Sequence, residues 1–378
     1  MTNHKIFIVI NEDLFFLTHR KNLGLYLINK GWTVFVLATR TNDKYVDEIQ
    51  SYGFIFIDIP FERSGYNIFR EVKTIHFLIK TKRKNRPSIV MNVGLKAILW
   101  GGLMAKLYKL PVISAVSGLG YLFINQQERF KQRLLFLLFR CLLPSKRHHI
   151  VFQNEEDKEI FLSHRIISEK DTGIIKGMGV NLKEYKPLPF ADKPKIQFLL
   201  SGRMLADKGI FEFIEAARKV SEKYRNASFV LAGSIDKKNP TGISEEQLTK
   251  MIDGTEISWI GYQKEMIPVY EKSDVVVLPS YREGFPKVLI EAEAIGRPVI
   301  TTDVTGCKDT VKDGFNGFLV PVKNVNLLAQ SMEKFLEYPD LKFSMGKNAE
   351  IWAKNNFDCV KINEAFLQIM EQLLSHEI

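Results

Sequence analysis

Asp274-Val-Val-Val-Leu278 is a short apolar run with no alternation of polar and apolar positions. A strand of that kind is covered on both faces, as in parallel sheets flanked by helices. Pro279, Ser280 and Gly284 then break the chain, and a helical pattern follows over residues 285–294. This strand–turn–helix unit restricts the chain to α/β folds, which bind phosphates at such turns. The first-turn N–H groups have no partner in the helix, and the dipole there favours anions. Glu283 falls where the helix is expected to begin and Glu291 lies eight residues on, about 12 Å along the axis at 1.5 Å per residue. The two carboxylates can then reach opposite ends of an extended ligand, with phosphates between them. The plainer alternative is a helix-start carboxylate and a surface carboxylate near Lys287.

The same theme recurs along the chain. Buried strands are expected over 5–10, 33–38, 54–59, 88–92, 111–116 and 149–153, with helices between them, including a long basic one over 68–84. Ile174-Ile-Lys-Gly-Met-Gly-Val-Asn181 and Tyr185-Lys-Pro-Leu-Pro189 mark a domain boundary. Strands over 197–200, 228–233, 257–261, 274–278, 298–302 and 313–320 follow, and a last helix over 360–374. The β-α alternation predicts parallel, doubly wound sheets, in which ligands sit beyond the carboxyl ends of the strands. Two domains are expected, 1–185 and 190–357.

Composition narrows the function. The three cysteines, Cys141, Cys307 and Cys359, are far apart and show no metal-ligand spacing, which fits a reducing compartment. The first residues lead into a strand with no signal-peptide shape, and no uncharged run reaches the roughly 20 residues that span a bilayer. The net charge of +10 is uneven: residues 1–183 hold 28 Lys and Arg against 15 Asp and Glu, residues 184–378 hold 25 against 28. Residues 64–147 alone carry 16 basic and 2 acidic residues. The basic half is expected to face an anionic surface, and with no helix-turn-helix, RNP or zinc pattern a membrane leaflet fits better than nucleic acid. In the helix expected over 128–143, Arg129, Arg133 and Arg140 share one stripe beside many Leu and Phe. It reads either as an interfacial helix or as a buried α/β helix with one solvated stripe.

Glu283-Gly-Phe-Pro-Lys-Val-Leu-Ile-Glu291 resembles the E-x7-E signature of retaining GT-B glycosyltransferases of family 4. Ser201-Gly-Arg-Met-Leu-Ala-Asp-Lys-Gly209 resembles the Gly-Arg…Lys-Gly segment of that family, and is neither a P-loop nor a dinucleotide fingerprint. Asp313-Gly-Phe-Asn-Gly-Phe-Leu-Val320 is similar to its D-G-x-x-G-x-L-V close. Thr18-His19-Arg20 and Ser117-Gly-Leu-Gly-Tyr121, read as loops after the first and fifth strands, resemble segments of bacterial members that extend lipid-linked oligosaccharides. Many family members place a histidine after the later strand; this chain has none there. His19 also reads as a capping histidine, and Gly118 and Gly120 as a tight turn.

The resemblance implies an α/β GT-B fold: two Rossmann-like doubly wound domains facing each other across a cleft, with a C-terminal helix crossing back to the first, which adds about 358–378 to that domain. It implies a hexosyltransferase in which Arg203 and Lys208 grip the donor diphosphate, Glu283 positions the sugar and Glu291 holds the ribose. Gly202, Gly284, Phe285 and Pro286 complete the donor site. His19, Arg20, Gly118 and Gly120 face the acceptor. Arg129, Arg133 and Arg140 meet the membrane. The expected donor is a UDP-sugar and the acceptor an undecaprenyl-diphosphate-linked saccharide, as in O-antigen or capsule assembly. The expected location is the cytoplasmic face of the cell membrane, peripherally bound. No Asp-x-Asp stands where a divalent metal is expected, so no metal or cofactor is expected. The rivals are a GT-B sugar-nucleotide epimerase and a non-catalytic binding protein for nucleotide sugars or nucleic acid.

Overall fold

The computed structural model describes residues 4–61, 68–119, 129–143, 146–237 and 239–375. They form two compact units, Met1–Met178 with Cys359–Ile378, and Gly179–Asp358. Residues 179–185, expected with the first domain, belong to the second. The cause is long-range: Val180 N–H donates to Phe357 C=O at 2.7 Å, and Val180, Leu182 and Tyr185 pack with Phe285 and Ile290 of the second unit.

The first unit is built on seven parallel strands: β1 Lys5–Glu12, β2 Thr33–Thr39, β3 Ile55–Asp58, β4 Ile89–Val93, β5 Val112–Val116, β6 His148–Phe152 and β7 Thr172–Ile174. Their order is β3-β2-β1-β4-β5-β6-β7, with Ile6 paired to Val34 on one side and Ile89 on the other. Ile6, Ile8 and Ile10 enter one core, while Phe7 and Val9 enter the opposite one. That is the period of two sorting a continuous apolar run onto two covered faces. The final helix, Cys359–Ser375, adds Ile362, Phe366 and Met370 to the core beneath Ile6 and Ile8.

The second unit has β8 Ile196–Ser201, β9 Ala227–Ala232, β10 Ile257–Trp259, β11 Val275–Leu278, β12 Val299–Thr302 and β13 Gly317–Val320, in the order β10-β9-β8-β11-β12-β13. Every pairing is parallel. Val275 and Val277 face one core, and Val276 and Leu278 the other.

Two local expectations are corrected. Thr18 and His19 are not in a loop: they end a helix, Asp13–His19, that follows β1 directly, and Arg20 is its C-cap. The Asp13 carboxylate anchors its first turn, accepting from Leu14 N–H at 2.7 Å and from Thr41 N–H at 2.7 Å, which lies far along the chain. The helix after β11 runs Lys287–Ala294 with Pro286 as its N-cap, two residues later than expected. Glu283 therefore precedes the helix, and the 12 Å axial spacing does not describe the two carboxylates.

Candidate functional site

In the second sheet the strand order reverses between β8 and β11, where doubly wound sheets take their ligands. Two loops leave the sheet there, residues 202–209 and residues 279–286. The first closes through a turn, Ala206–Lys208, into the helix Ile210–Lys223. Gly209 joins the two with φ +75°, and a Cβ at this position would meet Pro279 O at 2.2 Å. Only glycine lets the loops touch here. Their contact sets Lys208 Nζ on Glu283 Oε1. Ser280, fully buried, donates its hydroxyl to the same oxygen at 2.7 Å. The Glu283 N–H is held in turn by Thr305 C=O at 3.1 Å, from the loop after β12. Cys307 lies close by; burial, then the charge of Glu283, pushes its thiol up to about 12, which keeps it protonated and inert.

Arg203 stands on the same loop as Lys208. Its Nη1 lies 2.7 Å from Asp236 Oδ2, a carboxylate supplied by the loop after β9. Gly202 N–H donates to Ala232 C=O at 2.9 Å. Phe285 turns inward, its ring edge-on to Phe357 at 5.4 Å, and Pro286 is buried beside it. Phe285 thus backs the loop from the core. Gly284 lies between Glu283 and that anchor.

Glu291 is only 2% exposed. Tyr270 hydroxyl donates to its Oε2 at 3.1 Å, and Lys287 Nζ lies 2.8 Å from its Oε1. Burial, reinforced by the Glu291 charge, pushes the hydroxyls of Tyr185 and Tyr270 well above the ordinary tyrosine value. The structure therefore joins Lys208 to Glu283, places Arg203 on the same loop against Asp236, and seats Glu291 in a buried tyrosine cluster.

In the first unit, His19 ends the helix after β1, with Nδ1 2.7 Å from the Thr18 hydroxyl and its ring 4.0 Å from Phe15. Arg20 is buried over the Phe366 ring at 5.2 Å, and burial lowers its guanidinium to about 10. Gly118 follows β5 with φ +103°. Gly120 lies outside the described residues. The helix Arg129–Leu142 buries Leu135, Phe136 and Phe139, while Arg133 and Arg140 are exposed beside Leu134 and Leu137, 48% and 54% exposed. The Arg129 side chain lies outside the described residues. Among the described residues no helix is long and apolar enough to cross a membrane.

Residues 5–154 match the family model described as glycosyl transferase 4-like, and residues 183–352 match glycosyl transferases group 1. The chain is a glycosyltransferase of the GT-B family 4 type. It is 29% identical over 332 residues to an N,N'-diacetylbacillosaminyl-diphospho-undecaprenol alpha-1,3-N-acetylgalactosaminyltransferase of Campylobacter jejuni, covering 84% of this chain and 85% of that one. It is 25% identical over 316 residues to a UDP-Gal:alpha-D-GlcNAc-diphosphoundecaprenol alpha-1,3-galactosyltransferase of Escherichia coli, covering 80% of each. The fold matches HepE from Anabaena, solved in complex with UDP and glucose, with a TM-score of 0.80 at 15% identity over 98% of this chain and 100% of that one.

Sequence reading of the glycosyltransferase missed Asp236, Ser280, Tyr185 and Tyr270. Ser280 carried a signal, standing three residues before Glu283. Asp236 carried none: 33 residues separate it from Arg203.

Proposed function

We propose that the enzyme moves a hexose or N-acetylhexosamine from a UDP-sugar, with retention of configuration and without a metal ion, onto a hydroxyl of an undecaprenyl-diphosphate-linked saccharide. The reaction breaks the bond between the anomeric carbon and the β-phosphate oxygen, and the acceptor oxygen takes that place on the same face. The departing phosphate oxygen receives the acceptor's proton. The observation that carries the reading is the contact of Lys208 with Glu283 at the switch in strand order. A cation and a carboxylate fixed against each other there suit a donor that is anionic at its diphosphate and hydroxylated at its sugar. Lys208 and Arg203 offset the charge that grows on the diphosphate as the bond breaks, where a fixed cation stabilises most. Glu283, steadied by Ser280, receives sugar hydroxyls, and Glu291 receives the ribose hydroxyls once the tyrosine cluster opens. The acceptors and donor in the names of the Campylobacter and Escherichia enzymes support the substrate class.

The exposed face of the helix Arg129–Leu142 combines Arg133 and Arg140 with Leu134 and Leu137. This mixture suits an anionic lipid surface, cations at the headgroups and leucines below them. We assign it to peripheral docking at the inner face of the cell membrane, where a lipid-linked acceptor is presented.

Purified protein incubated with UDP-hexoses, a lipid-linked acceptor and a chelator is expected to release UDP and lengthen the lipid. An interconverted nucleotide sugar would instead make it an epimerase, and no turnover a binding protein. Lys208→Ala or Glu283→Ala should lower kcat by about 10²–10³-fold with the melting transition retained; wild-type rates would remove the site assignment. Arg133→Glu with Arg140→Glu should release the protein from vesicles containing anionic lipid, and unchanged binding would refute the docking face.

A further inference from the structure

The loop after β9 runs alongside the loop after β8 and is fastened to it at successive points. Gly202 N–H donates to Ala232 C=O at 2.9 Å, Met204 N–H to Ser234 C=O at 3.0 Å, and Ile243 N–H to Met204 C=O at 3.0 Å. Ala206 N–H donates to Thr241 C=O at 2.8 Å, and the Thr241 hydroxyl to Asp207 at 2.9 Å. Gly233 passes so close that a Cβ on it would meet Gly202 O at 1.7 Å. The turn that carries Asp236 is as tight, since a Cβ on Gly242 would meet the Asp236 C=O at 2.4 Å. So fixed, Asp236 meets Arg203 at 2.7 Å with a side chain only 10% exposed, while 44% of the Arg203 side chain remains open. One edge of the guanidinium is held and the rest stays available to an anion.

We infer that Asp236 is the positioning residue for Arg203, holding its guanidinium in the orientation that receives the donor diphosphate. A free arginine must give up rotamer freedom each time it binds, and a carboxylate that holds one nitrogen removes that cost beforehand. In this role Asp236 acts through Arg203. The inference rests on the reading of Arg203 as a diphosphate ligand.

The test compares UDP and uridine as probes, by calorimetry on the full chain. Asp236→Ala should weaken UDP binding about tenfold, the loss of one charge-assisted hydrogen bond's worth of preorganisation. Uridine, which has no phosphate, should bind as to the wild type, and Asp236→Glu should recover part of the UDP affinity. In an Arg203→Ala background the Asp236→Ala change should have no further effect on UDP. Equal losses for UDP and uridine, or an undiminished loss in the Arg203→Ala background, would overturn the positioning role and leave Arg203 a ligand. UDP affinity that ignores Arg203→Ala would overturn the donor-site reading, and this inference with it.

Discussion

Replacing Gly306 by alanine tests how closely the loop bearing Glu283 must be placed. Gly306 has φ +82°, and a Cβ on it would stand 2.4 Å from Glu283 O and 2.6 Å from Gly284 O, where ordinary contact begins at 3.4 Å. The backbones must therefore part by about 1 Å, since packed interiors do not compress. They are tied, however, because Glu283 N–H is bonded to the C=O of Thr305, one residue before the substitution. The strained left-handed backbone costs roughly 1–2 kcal/mol, and the overpacking roughly another 1–3 kcal/mol. For a unit of this size each kcal/mol lowers the melting temperature by about 2–4 °C.

Gly314 supplies an internal control. It has φ +70° but nothing within 4 Å of a Cβ, so Gly314→Ala carries the backbone cost alone. The melting temperature of Gly306→Ala should fall below that of Gly314→Ala. Its kcat/KM for donor should fall by about 10²-fold, the usual effect of displacing a substrate-positioning group by 1 Å. Gly314→Ala should keep near-wild-type turnover. Equal melting temperatures and equal rates for the two variants would refute the argument that contact with the Glu283 peptide, rather than backbone conformation, makes glycine obligatory at 306.

Two further outcomes follow from buried ionisable groups in the second unit. Glu293 is fully buried, accepts one hydrogen bond from Asn316 at 2.9 Å, and burial holds its carboxyl well above the ordinary 4.5. Its contribution is whole below about pH 4.5 and is lost as pH rises toward the raised folded value, because only the unfolded chain releases the proton. Glu293→Gln should therefore melt higher relative to wild type at pH 8 than at pH 5, and parallel pH profiles would exclude the effect. Arg297, also fully buried, donates to the carbonyls of Leu188 at 2.8 Å, Pro189 at 2.9 Å and Ser273 at 2.8 Å, and lies 4.3 Å over Phe190. Arg297→Met should destabilise by about 3–5 kcal/mol in denaturant melts, as several buried carbonyls lose their donor. A loss under about 1 kcal/mol would show that the strap at 188–190 is held by packing alone.

What could be read from the sequence divides along the range of the interactions that decide it. Runs such as Val275–Leu278 announce themselves because strand burial on both faces is a local pattern, and the structure sorts their side chains by the expected period of two. The turn motif at Glu283 and the Lys208 loop were legible because turn chemistry is written in adjacent residues. The segment at Thr18-His19-Arg20 was not: its polar residues suggest a loop, but Asp13 recruits Thr41 and Asn42 to anchor a helix there. Glu291 lies beside Lys287 as the helical spacing implies, yet its burial depends on Tyr270, 21 residues away. Val180 is tied to Phe357, far along the chain, so residues 179–185 join the second unit where the Gly and Pro pattern alone places the boundary later.

The first unit receives its last core residues, among them Phe366, Met370 and Leu373, after the whole of the second has passed in the sequence. During synthesis the second unit therefore has its entire chain before the first does, reversing the usual N-terminal-first order. A nascent chain that ends at residue 358 lacks every residue of the closing helix, so the core face of Ile6, Ile8 and Met91 is left without Ile362, Phe366 and Met370.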